Sequence, residues 1–159
     1  MKEAAKTKIL ELLAANRIMT VATLRPDGWP QATTVGFVNN GLVLSFVCAR
    51  DSQKAANIAR DNRVSLTINR DATDAGKIAG LSMAARATRM TQPEEIAKVL
   101  KLLADRYPEY IGPLRPPTDY RTISVMRVVP EVISILDFSK DFGKADLVSV
   151  TSDDLGAQF

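Results

Sequence analysis

Histidine is absent from the 159 residues, and cysteine occurs once, as Cys48. The first absence removes Ser-His-Asp and Cys-His nucleophiles, histidine general bases and histidine-ligated zinc from this chain. The second removes intramolecular disulfides and CxxC redox or metal motifs, and a lone thiol suits a reducing, cytoplasmic setting. Aromatic residues are scarce at 6%, and the net charge is only +3, from 21 basic and 18 acidic residues. The basic residues run from Lys2 to Lys144 with acids between them. Neither a basic stripe nor a row of stacking aromatics therefore marks a nucleic-acid surface. No stretch approaches the ~20 apolar residues of a membrane span. The opening Met1-Lys2-Glu3-Ala4-Ala5-Lys6 carries an acid and leads into no apolar h-region, which reads against a signal peptide. If the protein is an enzyme, its reactivity comes from carboxylates, lysine, hydroxyls or a borrowed cofactor, with no metal site expected.

What is present suits one domain. The composition, 46% hydrophobic and 25% charged, is that of an ordinary globular chain. We expect a single domain over residues 1–150 and a polar, loose tail over 151–159. From Lys2 to Ala15 the residues Ala5, Ile9, Leu12 and Leu13 recur at helical spacing. The period then falls to two. Ile18–Leu24 reads as a strand that leads into the tight reversal Arg25-Pro26-Asp27-Gly28. Gln31–Val38 is its partner, Asn39-Asn40-Gly41 the next turn, and Leu42–Cys48 a strand apolar on both faces, so that three strands form an antiparallel meander. Asp51 or Ser52 caps a short helix to Arg60 with Ala55, Ile58 and Ala59 inward. Val64–Asn69 alternates as a strand, Asp71–Lys77 is a polar loop and Ile78–Met90 a long strand. A capping box at Thr91-Gln92-Pro93-Glu94 opens a helix over Glu95–Asp105. Residues 108–119 are irregular, and Arg121–Val129 and Glu131–Leu136 form two strands separated by Pro130. Antiparallel strands with few helices favour a mainly β, small-barrel fold.

The strongest local signal is Arg50-Asp51-Ser52-Gln53-Lys54. A helix starts there straight after a buried strand, so free backbone N–H groups and the positive end of its dipole point outward, with Arg50 and Lys54 adding charge. That outlines a phosphate site, although an ordinary capped helix with a solvated lysine has the same pentapeptide. In the strand Gln31–Phe37, adjacent Thr33 and Thr34 turn their hydroxyls to opposite faces, one of them able to line a cavity. Gly36 inside a strand indicates a bulge or a close backbone approach. Cys48 reads as a small buried hydrophobe rather than a nucleophile. Trp29 follows a turn and covers a barrel mouth, a partner surface or simply core. Glu94-Glu95 complement a helix dipole and carry no catalytic role.

The chain as a whole resembles the pyridoxamine 5′-phosphate oxidase-like, FMN-binding split β-barrel superfamily. The likeness is carried by Val21-Ala22-Thr23-Leu24 with Asp27-Gly28-x-Pro30, then Leu44-Ser45-Phe46, Ser52-x-Lys54-Ala55-x-Asn57-Ile58 and Asn62-x-Val64-Ser65-Leu66. It resumes at Ala84–Ala87 and at Val129-Pro130-Glu131-x-Ile133, and spans roughly residues 5–137. The resemblance implies a split antiparallel β-barrel and a homodimer holding FMN at the interface. Ala32, Thr33, Thr34 and Val35 would run along the flavin ring, and Val47 and Cys48 would lie at the ring or ribitol. Ser52, Gln53 and Lys54 would hold the phosphate. Gly80 falls where a polar side chain often reaches the cofactor, and the region from Leu136 onward would come from the other subunit. Two departures stand out. Ala32 replaces an arginine that usually contacts the phosphate, and the segment Leu136–Lys144 lacks the tryptophan, arginine and histidine that bind the vitamin substrate. Phe142-Gly143-Lys144-Ala145-Asp146 instead resembles the tail of a smaller branch. The implied activity is flavin-mediated hydride transfer on a small molecule, with a deazaflavin-dependent reductase or a non-catalytic flavin-binding stress or sensor protein as alternatives. A haem-degrading role is disfavoured because no histidine is present to ligate iron.

Overall fold

A computed structural model describes residues 1–69, 72–111, 121–139 and 145–155. Helix α1 (Glu3–Ala15) buries Ile9 and Leu13 and is followed by strand β1 (Ile18–Leu24). Gly28 closes the first reversal with φ +85°, its N–H bonded to the Arg25 carbonyl at 3.0 Å. The expected second strand is interrupted. It divides at Phe37 into β2 (Pro30–Gly36) and β3 (Val38–Asn40), with β4 (Val43–Ala49) after the turn at Gly41. Then follow α2 (Gln53–Arg60), β5 (Arg63–Asn69), β6 (Ala79–Arg89), α3 (Pro93–Arg106), β7 (Ile123–Asp137), β8 (Ala145–Ser149) and α4 (Ser152–Leu155).

The strands form one antiparallel sheet in the order β2-β1-β5-β6-β7-β4-β3, with β8 on the far half of β7. The two outermost strands of that order are separated in the chain by Phe37 alone, so the sheet curls back on itself as a split β-barrel. The expected meander is therefore corrected: β2 pairs with β1, and only the β3 leg pairs with β4. Inward residues fill the interior, among them Val21, Leu44, Phe46, Leu66, Ile68, Met83 and Ile133. Each such side chain contributes about 1.5–3 kcal/mol relative to exposure. A second apolar cluster, Val38, Val99, Tyr107 and Val125, lies on the outer wall, where α3 covers β3.

Three other readings change. Pro130 does not end a strand, because β7 runs unbroken past it. The register slips there, Ala85 facing Pro130 and Ala84 facing Val132, so Glu131 is the extra residue of a bulge and the missing proline N–H is tolerated. The capping box is not formed. Helix α3 starts at Pro93 with Gln92 as its uncapped N-cap, since proline is preorganised for the first helical position. Ala59 is exposed, and Asn57 takes an inward position of α2 instead. Of the tail, Ser152–Leu155 forms α4. Pro113, Pro116, Pro117, Phe142–Lys144 and residues 156–159 lie outside the described residues.

Asp137 ties the end of β7 to α1. Its carboxylate accepts from the Ser139 hydroxyl at 2.6 Å and pairs with Lys8 Nζ at 2.9 Å. The Ser139 hydroxyl, then Lys8, hold its pKa down to about 2. A depressed carboxyl stabilises the fold above its unfolded value of ~3.9, and that stabilisation is lost as pH falls toward the folded value. In urea melts, the advantage of wild type over Asp137→Asn is expected to be constant above about pH 5 and to shrink between about pH 4 and pH 2. A pH-independent difference would show that the carboxylate is not held.

Candidate functional site

The candidate site lies where β4 hands over to α2. Ser52 is the N-cap: its hydroxyl accepts from the Ala55 N–H at 3.3 Å and donates to the Ala49 carbonyl at 2.7 Å. Ser52 therefore shapes the helix start as its cap. The next two amides, of Gln53 and Lys54, have no acceptor among the described residues. They are helix-start donors at the positive end of the dipole. Lys54 is half-buried and makes no ion pair among the described residues.

Beside this turn is an open strand edge. Among the described residues β2 has a ladder on one side only, to β1, and of β4 only Val43–Ser45 pair with β3. Phe46–Ala49 thus present a bare backbone edge, and β2 comes alongside β4 without a ladder. The gap between them is the split of the barrel, and strand edges of this kind carry unused N–H and C=O groups. Ala32 and Thr34 point outward and are exposed, whereas Gln31, Thr33 and Val35 share the face of the buried Val21. The two threonine hydroxyls are indeed on opposite faces. Thr33 Oγ1 is sealed from water and has no hydrogen-bond partner among the described residues. Val47 and Cys48 likewise point to opposite faces, Val47 toward the outer cluster and Cys48 toward the barrel core. Burial pushes the Cys48 thiol pKa up, against smaller downward pulls from the Ser52 hydroxyl and the Lys54 ammonium. A neutral thiol is a poor nucleophile.

Sequence reasoning missed the group that aims this helix. Asn57, 1% exposed, accepts from Gln53 Nε2 at 2.9 Å and donates to Thr23 Oγ1 at 3.0 Å and Gln31 Oε1 at 3.3 Å. It fixes the first turn of α2 against both strands of the opening hairpin. The available signal was a polar residue between Ala55 and Ile58 on the apolar side of a short helix. Asn57→Ala leaves these partners unsatisfied and is expected to cost about 1–3 kcal/mol in urea unfolding. An unchanged midpoint would mean the network does not stabilise the fold.

Gly80 is not brought to this place within the subunit. It sits at the start of β6, paired with Asn69 and Leu136. Ala87, near the strand's other end, lies beside α2, seven residues and about 23 Å further along at ~3.3 Å per residue. A Cβ at Gly80 would come within 2.9 Å of the Ile68 carbonyl, so close cross-strand approach explains the glycine.

Residues 5–135 match the family model described as pyridoxamine 5′-phosphate oxidase. The chain belongs to this family. Comparison with curated proteins gives no match. Among solved structures, this family member is similar to a conserved hypothetical protein from Mycobacterium tuberculosis, with 27% identity, TM-score 0.73, and coverage of 96% of this chain and 94% of that one. A putative pyridoxamine 5′-phosphate oxidase from Listeria innocua superposes with TM-score 0.68 and 20% identity, covering 83% and 98% of the two chains. A heme-binding protein from Mycobacterium smegmatis gives TM-score 0.76 and 20% identity over 94% of this chain, which spans 59% of that protein's length. These likenesses establish the barrel. The exposed Ala32 adds no charge to the open edge, and the cationic side chains of the pentapeptide beside it are Arg50 and Lys54.

Proposed function

We propose that this family member is an oxidoreductase that takes FMN into the split between β2 and β4 and acts on a small molecule. The observation that carries the reading is Lys54, a lysine without a counter-ion among the described residues, set beside two helix amides without acceptors at an open strand edge. Gln53 and Lys54 would hold the phosphate, with Ser52 keeping the helix start in shape. The backbone of Ala32, Thr33, Thr34 and Val35 would meet the ring, and Val47 and Cys48 would lie at the ring or ribitol. FMN, when bound, supplies hydride chemistry that the side chains here lack. The chain's own part is to bind, to orient through Asn57, and to exclude water with the apolar wall behind β4.

The cofactor that copurifies tests the reading directly. FMN, identified by its absorbance bands and mass, is the expected result. A deazaflavin would make the protein a reductase of that class, and bound FMN that NADH and NADPH fail to reduce would make it a flavin-binding sensor. A haem spectrum would overturn the flavin reading; the chain supplies no histidine for axial ligation.

The proposal includes a homodimer. Trp29 at 70% and Leu147 at 76% exposure offer apolar surface, and the end of the sheet carrying Gly80 and Leu136 would approach the partner's split. Gel filtration is expected to give twice 17.3 kDa, and a monomer would refute the shared site. The free Cys48 fits a cytoplasmic location.

A further inference from the structure

The opposite flank of α2 carries a cavity. Gln53 and Asn57 face the opening hairpin, whereas Ala55 and Ala59, two positions on, face the ends of β6 and β7. Between them is an open cleft of about 460 Å³, within the ~300–1,000 Å³ of small-molecule sites. Its apolar wall is made by Ala55, Ala59, Ala87 and Met126. Three of these are alanines on facing elements, which is why the space stays open.

The polar groups of the cleft converge. Ser124 is 2% exposed, lines the cleft, and its hydroxyl has no hydrogen-bond partner among the described residues. Its oxygen is not among the atoms sealed from water, so it opens onto the cleft and can donate to a ligand there. Arg89, at the end of β6, makes no ion pair or hydrogen bond among the described residues. Arg50 and Asp51 complete the rim. Arg89 is the lining cation with no ion pair among the described residues, and one such guanidinium suits a carboxylate.

We propose that this cleft binds a small monocarboxylate with a compact apolar body. The carboxylate pairs with Arg89 and accepts from the Ser124 hydroxyl, and the body covers the alanine and Met126 wall. The site shares the Arg50-Asp51 turn with the flavin split, but the groups proposed to hold the carboxylate, Arg89 and Ser124, belong to β6 and β7. Benzoate is a suitable probe, titrated into the full chain carrying ¹³C-labelled methionine and alanine methyls. Saturable shifts at Met126 and Ala87 are expected. Arg89→Gln, at an exposed position, should weaken them at least about tenfold, the loss of one charge-assisted contact. Ala59→Leu, also exposed, should abolish them by filling the space. Benzoate binding should survive in Lys54→Ala. Non-saturable shifts, equal affinity in Arg89→Gln, or loss of binding in Lys54→Ala would each overturn the proposal, the last by moving the anion to the start of α2.

Discussion

Lys54→Ala is expected to weaken FMN binding about ten- to a hundred-fold while leaving riboflavin binding unchanged. A charge-assisted hydrogen bond to phosphate contributes about 1.5–3 kcal/mol, and tenfold in affinity is about 1.4 kcal/mol. The effect should sit at the upper end of that range for two reasons. Lys54 is half-buried and makes no ion pair among the described residues, so no competing contact is released when phosphate arrives. The exposed Ala32 offers no charge to share the load. Lys54→Arg should retain most of the affinity, and raising salt should narrow the gap between wild type and Lys54→Ala. Fluorescence titration with FMN and with riboflavin separates the contributions. Equal FMN affinity for the two proteins would remove Lys54 from the site. A parallel loss for riboflavin would mean that the substitution disturbs the split itself.

That experiment isolates one feature of a larger arrangement. The helix amides, the lysine and the open edge lie together because α2 plugs one end of a barrel whose wall is unsealed beside it. Asn57 sets the angle of the plug. The same helix therefore turns opposite faces to two places, the Gln53–Asn57 side toward the opening hairpin and the Ala55–Ala59 side toward the Arg89 cleft.

Local chemistry in the sequence made much of the fold legible. The limits of β1 follow from its period of two, and Gly28 and Gly41, the described residues with positive φ, fall where Asp-Gly and Asn-Asn-Gly predict turns. What was illegible depends on distant partners. Nothing near Pro130 announces that β6 will accommodate a bulge, and Gly36 signals a close approach beside Phe37 but not that the strand must serve two neighbours. For the site, Lys54 and Ser52 were visible as a capped helix start. The bond from the Ser52 hydroxyl to the Ala49 carbonyl was not, since it depends on how the chain turns after β4. Ser124 and Arg89 were unreadable for the same reason, because β4, β6 and β7 must assemble before the cleft exists.

The break at Phe37 is held by Tyr107 together with the Arg17 carbonyl, which accepts from the Phe37 N–H at 3.3 Å, and removal of Tyr107 should have the largest effect on stability. Tyr107, buried at the end of α3, accepts from the Phe37 N–H at 2.8 Å and directs its hydroxyl at the Phe37 and Arg17 carbonyls. The Arg17 guanidinium lies 4.6 Å from the centre of its ring. Gly36 completes the fit: a Cβ there would come within 3.1 Å of the Tyr107 ring, the close approach that a glycine inside a strand signals. Tyr107→Ala is expected to cost about 3–5 kcal/mol, as large aromatic truncations do. Gly36→Ala should cost about 1–3 kcal/mol by overpacking against a ring that its hydroxyl partners keep from moving. The two costs should not add, because the alanine methyl enters space that Tyr107→Ala vacates, so the double variant should be more stable than the sum of the single ones. Urea unfolding of all four proteins measures the cycle, and strict additivity would show that Tyr107 does not set the kink. The functional consequence follows from geometry. Phe37 is the point at which β2 leaves β1 and β3 joins β4, so a chain that straightens there closes or splays the split, and FMN affinity should fall in Tyr107→Ala even at temperatures where the variant remains folded.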